Sequence, residues 1–193
     1  MHREATRNQG AMQALIGLSI DAVNELVGEA ASEGPVSVAN HNAETQIVIT
    51  GAPEPVKKAA ALASAQGGKA IPLKVSGAWH SELIRGAEAD FSACVETIAF
   101  KAPSHPVIHN VMADSLDAAD EIPAVMVRQL CSPVRWYDSM CKLQDEGVDT
   151  FVEVGPGKVL TGLIRKTLPK GTEAKVFSVN SLKSYEAFLT AMA

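Results

Sequence analysis

No apolar run in this sequence approaches the ~18 residues that a membrane-spanning helix needs. The opening Met1-His2-Arg3-Glu4-Ala5-Thr6-Arg7-Asn8 is charged where a secretory leader would be apolar. No membrane partner and no export are expected, and the cytoplasm is the default compartment. Clusters of Lys and Arg interleaved with aromatics are also missing, and the net charge of −5 with a pI near 5.5 excludes a nucleic-acid footprint. Cysteine is scarce: Cys94, Cys131 and Cys141 are an odd set without metal-ligand spacing, so they read as reduced thiols. His105 and His109 flank Pro106-Val107-Ile108 with no acidic or thiol partner at ligand spacing, so no metal is expected. Gly155-Pro156-Gly157-Lys158 has neither the spacing of a phosphate loop nor that of a dinucleotide fingerprint, and no cofactor is expected. Its glycines suit a sharp strand-to-helix turn. Internal repeats and low-complexity tracts are absent too.

What remains is an ordinary globular mixture of 193 residues, 47% hydrophobic and 20% charged, enough to bury a core. Residues 1–10 read as the end of a helix. Ala11 to Gly17 is an apolar strand, and Ser19 caps a helix with Ile20, Val23, Leu26, Val27 and Ala30 at helical spacing. Val36–Asn40 and Thr45–Thr50 are β-branched runs separated by His41-Asn42-Ala43-Glu44, which reads as a hairpin turn or a short excursion between neighbouring strands. A helix opened by Pro53 and closed by Gly67-Gly68 leads to a strand at Ala70–Val75. The order β-α-β-β-α-β over residues 11–75 predicts a ferredoxin-like subdomain.

Beyond Ser76-Gly77, helices alternate with short strands, the pattern of a parallel α/β sheet. Helices are predicted over Ser81–Ile98, Ala118–Leu130 with an early interruption at Pro123, 134–146, Val159–Leu168 and Ser181–Met192. Strands are predicted over Pro106–Val111, Thr150–Val154 and Lys175–Val179. A domain boundary near 75 follows. The candidate reactive group is His80, in the loop between a strand and the helix opened by Ser81, with Trp79 on its other side. An imidazole there suits general acid/base work near neutral pH. Taken alone, Gln129 reads as a solvated or capping amide, and Asn40 and Asn42 as turn formers.

Taken together, several segments resemble the malonyl-CoA:acyl carrier protein transacylase family. They are Gly10-Ala11-Met12, Asn40-His41-Asn42 through Gln46-Ile47-Val48-Ile49-Thr50-Gly51, Val75 through Ser81, Gln129 through Trp136, and Phe151 through Leu160, in family order along nearly the whole chain. The resemblance implies an α/β fold in which an α/β-hydrolase-like acyltransferase domain, here residues 76–193, carries the ferredoxin-like insertion. It implies covalent transfer of a malonyl group from coenzyme A, as substrate, to the phosphopantetheine thiol of acyl carrier protein. By the same resemblance His80 is the base, Gln129 offers a carbonyl to its second ring nitrogen, and Asn40 and Asn42 line the substrate cleft. Trp79, an aromatic ahead of the histidine, goes with an unbranched malonyl group.

Three features that the family resemblance implies are missing: the nucleophile elbow, the glutamine-rich oxyanion segment and the arginine for the malonyl carboxylate. No Gly-x-Ser-x-Gly elbow occurs in these residues, and Gly17-Leu18-Ser19-Ile20-Asp21 does not supply one. The expectation is therefore a downstream portion of a transacylase, inactive alone. Its apolar sheet edges should pair with a copy of itself or with the remaining portion. The alternative is a non-catalytic module that binds carrier protein.

Overall fold

The computed structural model describes residues 1–192. The chain divides into two compact units, Met1–Ser139 and the residues from Met140 on. The passage near residue 75 thus lies inside the first unit.

After a short helix α1 (His2–Arg7), the first unit builds one sheet from β1 (Ala11–Ile16), β2 (Val36–Ala43), β3 (Gln46–Gly51) and β4 (Lys69–Pro72). The strand order is β2-β3-β1-β4 and every pairing is antiparallel. Helices α2 (Ile20–Ala30) and α3 (Pro53–Ala65) cover one face. The alternation of the strands dictates this: Leu15, Ile47 and Ile49 face Val23, Leu26, Val56 and Ala59 in one fully buried cluster. Met12, Ala14, Ala39 and Val48 point the other way and form a second cluster, against which Leu73 and Trp79 pack. A sheet buried on both faces explains why β3 reads as an unbroken apolar run. Ser19 caps α2 by accepting a hydrogen bond from Ala22 N at 3.3 Å.

Several sequence expectations need correction. His41 and Asn42 do not form a turn: β2 continues to Ala43, and the hairpin closes at Glu44-Thr45. The burial of Ala39, His41 and Ala43 on one side keeps the strand going. The helix expected over Ser81–Ile98 is a 3₁₀ stretch, Glu82–Ala87, followed by α4 (Glu88–Val95). Gly86 sits in that stretch directly against the Glu4 carboxylate, where any side chain would overlap it. The strand expected at Pro106–Val111 shrinks to β5 (Ile108–His109), paired with β6 (Asp114–Ser115). Pro123 does not interrupt a helix. It lies in the first turn of α5 (Ile122–Gln129), where a missing N–H costs nothing.

Helix α6 is Trp136–Asp145. The second unit contains β7 (Thr150–Val154), α7 (Val159–Thr167), β8 (Lys175–Val179) and α8 (Leu182–Met192), with β7 and β8 parallel. Phe151, Thr161 and Ile164 are buried beneath the crossover, and Phe177 meets Phe188 edge-on at 5.2 Å. Val154, Val159 and Leu182 of this unit are exposed.

Candidate active site

The loop between β4 and the 3₁₀ stretch is fixed from beneath. Ala78 is fully buried, and a side chain at Gly10 would overlap it. A Cβ on Gly77 would lie 2.5 Å from that of Ala5. Both glycines are there because the loop is pressed onto α1 and the start of β1. Trp79 packs on the sheet face opposite α2 and α3. Ser81 Oγ donates to Ala78 O at 2.7 Å and accepts from Leu83 N at 3.3 Å, so one hydroxyl closes the loop and caps the helical stretch.

Between these anchors His80 has φ 59°, one of two non-glycine residues in the left-handed region among the described residues. For a histidine this conformation is unfavourable and is held by its surroundings. It places the half-buried ring with Nδ1 3.4 Å from the main-chain oxygen of Gln129, at the end of α5. A carbonyl only accepts, so in the neutral imidazole this contact calls for the hydrogen on Nδ1 and the lone pair on Nε2. The Gln129 side chain takes no part, because its Nε2 donates to Ser132 O at 3.3 Å. Asn40 and Asn42 lie on β2 in the less buried row, and neither forms a hydrogen bond with His80 or Gln129. The structure thus joins His80 to Gln129, seats Trp79 under the loop, and leaves the two asparagines on a neighbouring strand.

Sequence reasoning missed the groups that hold the segment after Gln129. Val134 pairs with β2, accepting from His41 N at 2.9 Å and donating to Ala39 O at 2.8 Å. Arg135 donates through Nε to Asp138 Oδ2 at 2.6 Å and through Nη1 to Met112 O at 3.0 Å. The i, i+3 spacing of Arg135 and Asp138 was the one signal available. A cavity of about 340 Å³ adjoins Gln129, lined mainly by Phe91, Val125, Met126 and Leu130 with His109 and Asn110 at its polar side.

Cys131 is close by but poorly suited to nucleophilic work. Burial, reinforced by a hydrogen bond to Glu88, pushes its thiol up to about 11. Cys94 is exposed. With iodoacetamide at pH 8, Cys94 should alkylate first and Cys131 on the order of 10²-fold more slowly than an unhindered thiol. Peptide mapping of a time course checks the order.

In the second unit the turn at Gly155–Lys158 leads into α7, and its anion position is already taken. The Thr161 side chain, with Thr161 N donating to Glu153 at 2.8 Å and Leu160 N at 3.1 Å, holds the Glu153 carboxyl below the usual range. The stability this cap adds is present above the ordinary carboxylate pKa and is lost as pH falls through the lowered value. Among the described residues, no group of three or more His, Cys, Asp and Glu could hold a metal ion, and no helix is long and apolar enough to cross a membrane.

The family model for the acyl transferase domain matches residues 1–186. A malonyl CoA-acyl carrier protein transacylase of Bacillus subtilis is 41% identical over 168 residues, covering 86% of this chain and 53% of the relative. That of Haemophilus influenzae is 37% identical over 188 residues, covering 97% of this chain and 59% of the relative. The chain therefore spans little more than half the length of these curated relatives. Among solved structures, FabD from Acinetobacter baumannii superimposes with a TM-score of 0.91 at 36% identity, covering 98% of this chain and 60% of that one. A malonyl-transacylase in complex with its type II polyketide acyl-carrier protein also gives 0.91, at 34% identity over 98% of this chain and 61% of the other.

Proposed function

The chain belongs to the acyl transferase family, and on that premise we propose that it carries the base and part of the cleft of a malonyl-CoA:acyl carrier protein transacylase. The observation that carries this reading is His80 Nδ1 facing the Gln129 carbonyl at 3.4 Å, a contact that in the neutral ring puts the lone pair on Nε2. In the first half-reaction an attacking serine hydroxyl gives its proton to Nε2 as its oxygen adds to the thioester carbonyl. The tetrahedral adduct then collapses, and the departing coenzyme A thiolate takes that proton back from the imidazolium. In the second half-reaction the phosphopantetheine thiol of the carrier protein gives His80 its proton and attacks the malonyl ester. The proton returns to the serine oxygen. The Gln129 main chain plays the orienting part that a carboxylate plays in a serine protease triad, by fixing the tautomer.

Trp79 walls the cleft on the sheet side and favours an unbranched malonyl group, while Asn40 and Asn42 supply amide contacts to substrate. Coenzyme A enters as a thioester substrate, no resident cofactor takes part, and the compartment is the cytoplasm. We read the β2-β3-β1-β4 sheet with α2 and α3, residues 11–75, as the ferredoxin-like subdomain. Residues 1–10, which carry α1, lead into it, and 76–193 are part of the α/β-hydrolase-like domain.

The test supplies the nucleophile. The chain is refolded with the portion of the B. subtilis relative that it leaves uncovered, then given malonyl-CoA and acyl carrier protein. Intact mass should show malonyl-carrier protein; a folded mixture that transfers none overturns the reading. The second reading is a carrier-protein-binding module without catalysis. It requires that His80→Ala leave carrier affinity unchanged while transfer never appears.

A further inference from the structure

We propose that His41, through Asp138, is a positioning residue for His80: it clamps the segment from Gln129 to Asp138 onto β2 and so keeps the Gln129 oxygen on the His80 ring. The inference deepens the transacylase reading and rests on it for the role of His80.

The starting point is a histidine where the strand asks for an apolar side chain. His41 is 8% exposed, in the buried row of β2 between Ala39 and Ala43. Its Nδ1 lies 3.4 Å from Asp138 Oδ1, and its ring meets that of Tyr137 at 4.8 Å between centroids. Its Nε2 is buried without a partner. A carboxylate only accepts, so Nδ1 carries the proton and the bare Nε2 lone pair is the cost of placing the ring there. Burial holds the His41 pKa below the usual value against the opposing pull of Asp138, while Arg135 adds to the lowering; the ring is neutral at neutral pH.

The same residue also grips with its main chain, donating from N to Val134 O at 2.9 Å. Asp138 is held in turn by Arg135, which is tied to Met112 O. Only four residues, Leu130 to Pro133, separate Val134 from Gln129, and they are stiff. Ser132 Oγ donates to Arg128 O at 2.7 Å, Ser132 N to Gln129 O at 3.4 Å, and Pro133 has a fixed φ. A displacement at Val134 therefore reaches the Gln129 oxygen with little loss. The His80 contact, at 3.4 Å, is already near the limit of a hydrogen bond, so a few tenths of an ångström decide whether it exists.

The test reads the His80 tautomer by long-range ¹⁵N–¹H correlation in the full, ¹⁵N-labelled chain. In the unaltered chain the Nδ1–H form should dominate. His41→Phe keeps the ring packing and removes the donor, and should raise the Nε2–H population of His80 about fivefold or more. His41→Asn places an amide donor where Nδ1 was and should restore the original ratio. Asp138→Ala, at a half-exposed position, removes the acceptor if His41→Phe fails to fold, and should shift the ratio the same way. An unchanged ratio in a folded variant, or failure of His41→Asn to restore it, overturns the proposal. The readout needs no acyl transfer. A tautomer shift without transfer in the refolded mixture therefore sinks the transacylase reading alone, and transfer without the shift sinks the positioning role alone.

Discussion

Replacing His80 by alanine should lower malonyl transfer by the refolded two-part enzyme about 10²–10⁴-fold, the range that a positioned general acid/base contributes. The loss should appear in kcat with little change in KM, since in the proposed mechanism the imidazole serves the attacking and leaving atoms and does not hold the malonyl group. The backbone at 80 complicates the alanine variant, because φ 59° suits it no better than it suits histidine. His80→Asn is the cleaner change: asparagine tolerates the left-handed region and can still donate to the Gln129 carbonyl, but cannot take a proton. It should be as slow as alanine while melting no lower than the unaltered chain. A rate within threefold of the original in either folded variant would remove His80 from the mechanism.

The largest effect on stability should come from Gly51→Val. Gly51 ends β3 and pairs with Ala11 on one side and Val36 on the other, at φ 154°. A Cβ there would overlap the Pro35 carbonyl oxygen and lie 2.6 Å from Val36 Cα, both main-chain atoms that cannot swing aside. Strain at this φ and the overlap together should cost on the order of 3–5 kcal/mol, enough to unfold a marginal domain. Urea titration followed by tryptophan emission checks it. Gly162→Ala is the control: its Cβ meets nothing within 4 Å, it lies inside α7, and it should stabilise by about 0.5–1 kcal/mol. Equal midpoints for Gly51→Val and the unaltered chain would contradict the packing at the β2–β3 edge.

What could be read from the sequence depended on whether the information sat in side chains. The order of elements from Ala11 to Pro72 was legible because strand alternation and helical spacing each bury a defined row, and Ser19 and Pro53 mark where helices begin. His80 was legible as a candidate because Ser81 marks a helix start just after it. Gln129 was visible only through family resemblance. Its contribution is a main-chain oxygen, which any residue carries, and its own amide turns to Ser132. His41 was misread because Asn-His-Asn has the composition of a turn, while the burial that keeps it in β2 depends on Val134 and Asp138, more than ninety residues later. Between Glu82 and Ser115 the periodic signal was real but weaker than local constraints. The 3₁₀ stretch carries Gly86 against Glu4, and Ala113 at φ 55° closes a turn where a longer strand was expected.

The bridge between β2 and Val134 has one more consequence. β2 is an edge of the four-stranded sheet, and its outer N–H and C=O groups at Ala39 and His41 are spent on Val134, next to two register shifts. The opposite edge, β4, is four residues long and ends in Pro72. Both features shorten the stretch on which a strand from another molecule could pair. Peeling back the Val134 segment would bare the Ala39 C=O and the His41 N–H on the β2 border.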